Sequence, residues 1–173
     1  MSILSLIYAP AKVLEKKAVE VKKIDNDIKN LVNNMFDTMY ENNGVGLAAP
    51  QVNESLQILV MDCSNKDISL DRKVLINPRI IKQSNDYKEY EEGCLSFPDH
   101  YFTVSRPESL NVSFIDIDGN NKEFFFNGFE AVCVQHEIDH LSGTLFTSYL
   151  SRLKRQIIIK KMQKFKKNIN KSI

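Results

Sequence analysis

Tryptophan is missing from this sequence, and cysteine, proline and glycine are scarce, at three, five and six of 173 residues. That scarcity excludes collagen-like and low-complexity chains. The cysteines, Cys63, Cys94 and Cys133, are odd in number and form no CxxC pair. They argue against a disulfide framework and for reduced thiols or a metal ligand. No apolar run approaches the ~20 residues that a membrane helix requires. The opening MSILSLIYAPAKVLEKK lacks the basic start and long apolar stretch of a secretory signal. A cytoplasmic protein with no membrane partner is the expectation. What is present suits a globular chain, since 43% hydrophobic and 26% charged residues exclude intrinsic disorder. A length of 173 residues without repeats or a Pro/Gly linker suits one domain over 1–173.

Acid is absent from the C-terminal end. All 22 acidic residues precede position 152 alongside only 14 Lys/Arg, which leaves residues 1–151 at −8. Residues 152–173 hold the other nine basic residues. An acidic body with a basic tail points to a tail that meets something anionic. Apolar periodicity predicts a helix over residues 25–42, where Ile28, Leu31, Val32, Met35, Phe36 and Met39 recur at helical spacing. Asp25 or Asp27 can cap it, and Gly44 and Gly46 end it. Further helices are expected over 128–141 and 151–168. Strands are expected at Gln57–Met61 and Lys73–Asn77, and at Thr103–Ile117 and Glu123–Phe126 around the turn Asp118-Gly119-Asn120. Strands with interspersed helices and an antiparallel hairpin favour an α+β fold.

The chemistry sits in His136-Glu137-Ile138-Asp139-His140, an HExxH sequence on a predicted helix. Histidines at i and i+4 share one face, so both imidazoles can bind one divalent metal while Glu137 handles the proton of a bound water. A catalytic metal needs a third protein ligand and an open position. The metzincin position for a third histidine is Phe146, and residues 141–173 contain no acid to serve as a thermolysin-like ligand. The third ligand is therefore expected upstream. Cys133 lies on the same helix, about 7–8 Å along the axis from the midpoint of the two histidines at ~1.5 Å per residue, beyond the reach of its short side chain. It reads as a buried residue beside the site. Cys63 ends a strand, and His100 reads as an exposed loop residue. Cys94, in Glu91-Glu92-Gly93-Cys94-Leu95-Ser96, is the best candidate.

With these residues in view the chain resembles the bacterial peptide deformylase family. Three blocks match in order: Gly44-Val45-Gly46-Leu47-Ala48-Ala49-Pro50-Gln51, Glu92-Gly93-Cys94-Leu95-Ser96 and Gln135-His136-Glu137-Ile138-Asp139-His140. The resemblance extends over essentially the whole chain, with the subclass carrying a C-terminal helix as the best match. It implies a compact α+β domain with antiparallel β-sheets around a central helix carrying HExxH. It also implies hydrolytic removal of the formyl group from the N-terminal methionine of new polypeptides. By resemblance, Cys94, His136 and His140 hold the metal, whose bound water is the nucleophile. Glu137 is then the general base and acid, and the Gln51 side chain and Leu95 backbone N–H stabilise the oxyanion. Val45, Gly46, Glu92, Phe129, Val132 and Cys133 are expected to line the substrate cleft and its methionine pocket. Fe2+ is the metal expected from the family, with Zn2+, Ni2+ or Co2+ compatible with the same ligands.

The basic tail, residues 152–171, is expected to form a helix that docks near the ribosomal exit tunnel, where RNA phosphates attract cations. Ile157, Ile158 and Met162 would pack it on the body of a monomer. Departures from the family concern substrate contacts rather than metal chemistry: Tyr101 stands where relatives often carry arginine, and Ser105 replaces a frequent proline before Arg106. Two rival readings, another HExxH hydrolase and a ribosome-binding protein with a structural metal, fit the EGCLS block, Glu137 and Gln51 less well.

Overall fold

The computed structural model describes residues 2–64 and 70–169. It contains helices α1 (Asn26–Glu41), α2 (Gly128–Ser142) and α3 (Arg152–Ile169). Seven strands accompany them, β1 (Gly46–Ala48), β2 (Ile58–Met61), β3 (Lys73–Gln83), β4 (Tyr87–Cys94), β5 (Phe97–Pro107), β6 (Ser109–Ile115) and β7 (Asn121–Asn127). A five-stranded sheet runs in the order β1-β2-β3-β6-β7, and β4 with β5 forms a separate two-stranded sheet. Every pairing within both sheets is antiparallel. The architecture is α+β, as expected.

Helix α1 begins where Asp25 accepts a hydrogen bond from the Ile28 N–H, and its apolar stripe of Val32, Met35, Phe36 and Met39 is buried. That stripe packs on Leu47, Ile58, Val60 and Ile76. On the other face of the sheet, Ala131, Val134 and Leu141 of α2 pack with Leu59, Met61, Leu75, Val112 and Phe126. β2 is thus buried on both faces, which is why its sequence, ILVM, is continuously apolar rather than alternating. A third cluster joins Ala9, Leu14, Phe97, Leu145 and Phe146 to Ile158 and Met162 of α3.

Three expectations need correction. Thr103–Ile117 is not one strand: the chain leaves β5 at Pro107 and enters β6 at Ser109, passing from one sheet to the other. Proline cannot donate to a ladder, so it suits the place where pairing changes partner. His100 lies half-buried within β5 rather than on an exposed loop. On α3 the packing stripe is Ile158, Met162 and Phe165, whereas Ile157 is 47% exposed. Residues 170 and 171 of the expected tail helix lie outside the described residues.

Asp62, just beyond β2, is fully buried and gathers the neighbouring segments. It accepts from Tyr40 Oη at 2.5 Å, Ser64 Oγ at 2.5 Å, and the backbone N–H groups of Ser64 and Asp71 at 3.1 and 3.3 Å. Its own N–H donates to the Val45 carbonyl at 2.8 Å. Burial alone would raise its pKa, but the hydrogen bonds from Ser64 and Tyr40 win and lower it from 3.8 to about 2. A carboxyl with a depressed folded pKa contributes stability above its unfolded pKa and loses it as pH falls through the folded one. We therefore expect Asp62→Asn to cost about 2 kcal/mol at neutral pH. In urea denaturation series that deficit shrinks as pH falls from about 4 to about 2, the window set by these two pKa values.

Candidate metal centre and active site

Helix α2 crosses beneath the five-stranded sheet and carries His136, Glu137 and His140, all buried. Cys94 closes β4, where the register shifts between Gly93 and Cys94 and Cys94 pairs with Phe97. The tight β4–β5 connection brings its thiol over the helix. One ligand atom from each of Cys94, His136 and His140 lies within 4.8 Å of the others, and Cys94 Sγ is 3.3 Å from His140 Nε2. Among the described residues, this is the one such group of three.

The donor set fits a divalent transition metal, since one thiolate and two imidazoles leave a fourth position open. The surroundings fit as well. Burial holds the His140 pKa well below its usual value, which keeps its imidazole neutral, the form that ligates. Burial opposes protonation of His136 too, but Cys94 and Glu92 outweigh it and hold its pKa well above the usual value. Such a buried, negative environment is one that a cation would satisfy.

His136 is oriented from behind. Its Nδ1 is 2.9 Å from Glu92 Oε2, which leaves Nε2 for the site. Glu92 is in turn gripped by Arg106, through Nε at 2.5 Å and Nη2 at 3.0 Å. Arg106 Nη1 donates to Asp139 at 2.9 Å, and Tyr149 Oη donates to the same carboxylate oxygen at 2.8 Å while its ring covers the guanidinium. Burial would raise the Glu92 pKa, but His136 and Arg106 lower it.

In front of the centre lies a cleft of about 620 Å³, lined by all of the expected pocket residues: Val45, Gly46, Glu92, Phe129, Val132 and Cys133. Gln51, Leu95, Cys94, His136 and Glu137 line it too. Gln51 is buried and fixed: its Oε1 accepts from the Ala48 N–H at 2.8 Å, while Nε2 points to Ser96 Oγ at 3.3 Å and Cys94 Sγ at 3.6 Å. Burial pushes Glu137 up to about 7, and its Oε2 is buried with no hydrogen-bond partner. Gly46 allows this proximity: a Cβ there would stand 2.6 Å from Glu137 Oε1 and 2.9 Å from Cys133 Sγ. Cys133 is buried on the cleft wall with its thiol donating to the Val45 carbonyl.

A family model described as polypeptide deformylase matches residues 3–156. The chain belongs to the polypeptide deformylase family. A peptide deformylase of Baumannia cicadellinicola is 45% identical over 171 residues, covering 98% of this chain and 100% of the relative. One from Afipia carboxidovorans is 44% identical over 164 residues, covering 95% and 96%. Among solved structures, a peptide deformylase from Ehrlichia chaffeensis superposes with a TM-score of 0.91 at 39% identity, covering 96% of this chain and 98% of that one. Another structure from that organism was determined in complex with actinonin. This chain is accordingly an enzyme of a metal-dependent deformylase family, and its Cys-His-His cluster is where a deformylase metal can be held.

Arg106, Asp139, Tyr149 and Ser96 are the contributors that sequence reading did not assign to the site. Arg106 is 14 and 33 residues from its partners, so no local pattern announces it. Removing it should leave the Glu92 carboxylate buried without its countercharge. Arg106→Leu is expected to cost about 3–5 kcal/mol, the usual penalty for halving a buried pair. Equilibrium denaturation measures that cost, and metal analysis of the purified variant should show reduced occupancy because Glu92, which orients His136, is no longer held in place by the guanidinium.

Proposed function

We propose that this chain removes the formyl group from the N-terminal methionine of newly made polypeptides and releases formate. The observation that carries the reading is the convergence of Cys94, His136, His140 and Glu137 at the inner end of a cleft wide enough for a peptide. Hydrolysis of a formamide needs an activated water, a stabilised oxyanion and a proton for the departing amine. A divalent cation held by Cys94, His136 and His140 supplies Lewis-acid chemistry there. We take Fe2+ as that cation, with Zn2+, Ni2+ and Co2+ compatible with the same donors.

The other steps belong to the chain's own residues. Glu137 takes the proton of the attacking water and returns it to the amine nitrogen as the C–N bond breaks. A carboxyl pushed up to about 7 by burial can do both near neutrality. The Gln51 amide, immobilised by Ala48 and Ser96, donates to the oxyanion from the Cys94 side of the cleft. The Leu95 backbone N–H, adjacent to Cys94, is the second donor. Such donors are worth about 3 kcal/mol each. Phe129, Val132, Cys133 and Val45 hold the methionine side chain, and Gly46 lets the substrate backbone approach. Glu92 acts through His136 rather than on substrate, because both of its oxygens are engaged.

The reading extends to a monomeric cytoplasmic enzyme forming one domain over 1–173. Its basic C-terminal helix, α3, docks on ribosomal RNA near the exit tunnel. What supports the docking is that Arg152, Lys154, Arg155, Lys160, Lys161, Lys164 and Lys167 are exposed on α3. Among the described residues none of them forms an ion pair.

Formate release from formyl-Met-Ala-Ser by anaerobically purified protein tests the activity. Release that follows iron occupancy, with acetyl-Met-Ala-Ser left intact, is the expected result; no release from fully metallated protein would overturn it. Glu137→Ala should retain metal and lose at least about a hundredfold in kcat. Gln51→Leu should lower kcat by roughly 10²–10³ with metal content unchanged.

A further inference from the structure

With Cys94 assigned to the metal centre, two of the three cysteines remain, and the fold brings them together. All three are free thiols. Cys133 lies on α2, buried on the cleft wall, while Cys63 lies two residues beyond β2, half-buried. The two thiols are hydrogen-bonding neighbours, and that contact together with burial holds the Cys133 pKa well above its usual value. Cys133 therefore keeps its proton. Cys63 packs on the apolar cluster that contains Cys133, with Val45 beside them.

A second set of contacts fixes this meeting independently. The Val45 carbonyl accepts from the Cys133 thiol at 3.6 Å and from the Asp62 N–H at 2.8 Å, and Asp62 is the chain neighbour of Cys63. Both residues that hold Val45 are thus tied to the thiol pair. On its other side the Cys133 sulfur is closed in by β1, since a Cβ on Gly46 would stand 2.9 Å from it. A disulfide joins only cysteines whose side chains already face each other, as these two do.

The chemistry needs an oxidant of the small-molecule disulfide class, such as oxidised glutathione. The Cys63 thiolate attacks one sulfur of that disulfide and its S–S bond breaks. One glutathione leaves as a thiolate and recovers from water the proton that Cys63 gave up, and a mixed disulfide remains on Cys63. The Cys133 sulfur then attacks the Cys63 sulfur, the mixed S–S bond breaks, and the second glutathione leaves with the Cys133 proton. Two protein thiols lose two electrons, and one glutathione disulfide becomes two glutathione thiols. The product has no S–H, so Cys133 no longer donates to the Val45 carbonyl. Val45 and Cys133 are both cleft walls.

We propose that Cys63 and Cys133 form a reversible thiol-modification site, oxidised by small disulfides to a bond that loosens the methionine pocket and weakens substrate binding. The effect on binding rests on the deformylase reading above; the formation of the bond does not.

The test equilibrates nickel-loaded holoenzyme in buffers of rising oxidised-to-reduced glutathione ratio, traps free thiols with N-ethylmaleimide, and maps linked peptides by mass. The expected result is a crosslink between Cys63 and Cys133 that disappears in excess reduced glutathione. KM for formyl-Met-Ala-Ser should rise with it by about two- to tenfold, the size of one lost hydrogen bond. Unchanged kcat and nickel content should accompany that rise, the signature of lost ground-state binding. Cys63→Ser should keep the KM of the reduced enzyme in every buffer and yield no crosslink. No crosslink in fully oxidised glutathione, a stable mixed disulfide on Cys63 alone, or loss of nickel through oxidation of Cys94 would overturn the site. A crosslink that leaves KM unmoved would overturn its control of the pocket. A crosslink in a protein that deformylates nothing when reduced would overturn the deformylase reading and the effect on binding, leaving the thiol site standing.

Discussion

The Glu92 carboxylate is the contact on which the arrangement of this molecule depends. It belongs to β4, it is nearly inaccessible, and it meets Arg106 from β5 and His136 from α2. A buried charge is tolerated only with good partners, so the three elements must come together in one register for the fold to be affordable in free energy. Asp139, one turn along from His136, accepts from the far side of the same guanidinium, and Tyr149 covers it. The two-stranded sheet is held to the central helix by this polar knot as well as by apolar packing. Its geometry therefore determines where Cys94, two residues further along β4, meets the histidines.

The same economy shapes the other side of the cleft. β1 approaches α2 so closely that only glycine fits at position 46, and the approach buries Glu137 against the strand. A carboxyl in that setting is kept near neutral titration by lack of solvent, which is what a proton carrier requires. Val45 is secured from two sides, by the Asp62 N–H and the Cys133 thiol. The cleft is thus bounded by segments that are each tied to the core rather than by free loops.

What could be read from sequence divides along the range of the interactions. HExxH, the capped stripe of α1 and the Asp-Gly-Asn turn between β6 and β7 are local, and each was legible. β4 was not: YKEYEEGC has almost no apolar alternation, because one face of that strand serves solvent and the cleft while the other serves an ion pair. Arg106, Asp139 and Tyr149 were likewise invisible as a set, since their association is made by folding alone. Of the residues expected to dock α3, Ile158 and Met162 do so and Ile157 does not, because three consecutive isoleucines give no phase; only the third cluster selects Ile158 over Ile157 and adds Phe165. The metal ligands and pocket residues named from the family resemblance all come together in one region, and their individual roles remain those proposed above.

Helix α3 is fastened by Ile158, Met162 and Phe165 into the cluster that contains Phe97 and Phe146, with Phe165 edge-on to Tyr8 at 5.3 Å. Phe146 in turn stands 5.9 Å from the His136 ring. The helix is therefore a rigid handle, not a tether: its bearing relative to the cleft is set by side-chain packing. Any surface that grips the basic side of α3 receives the whole enzyme in one orientation, with the cleft mouth aimed in a fixed direction.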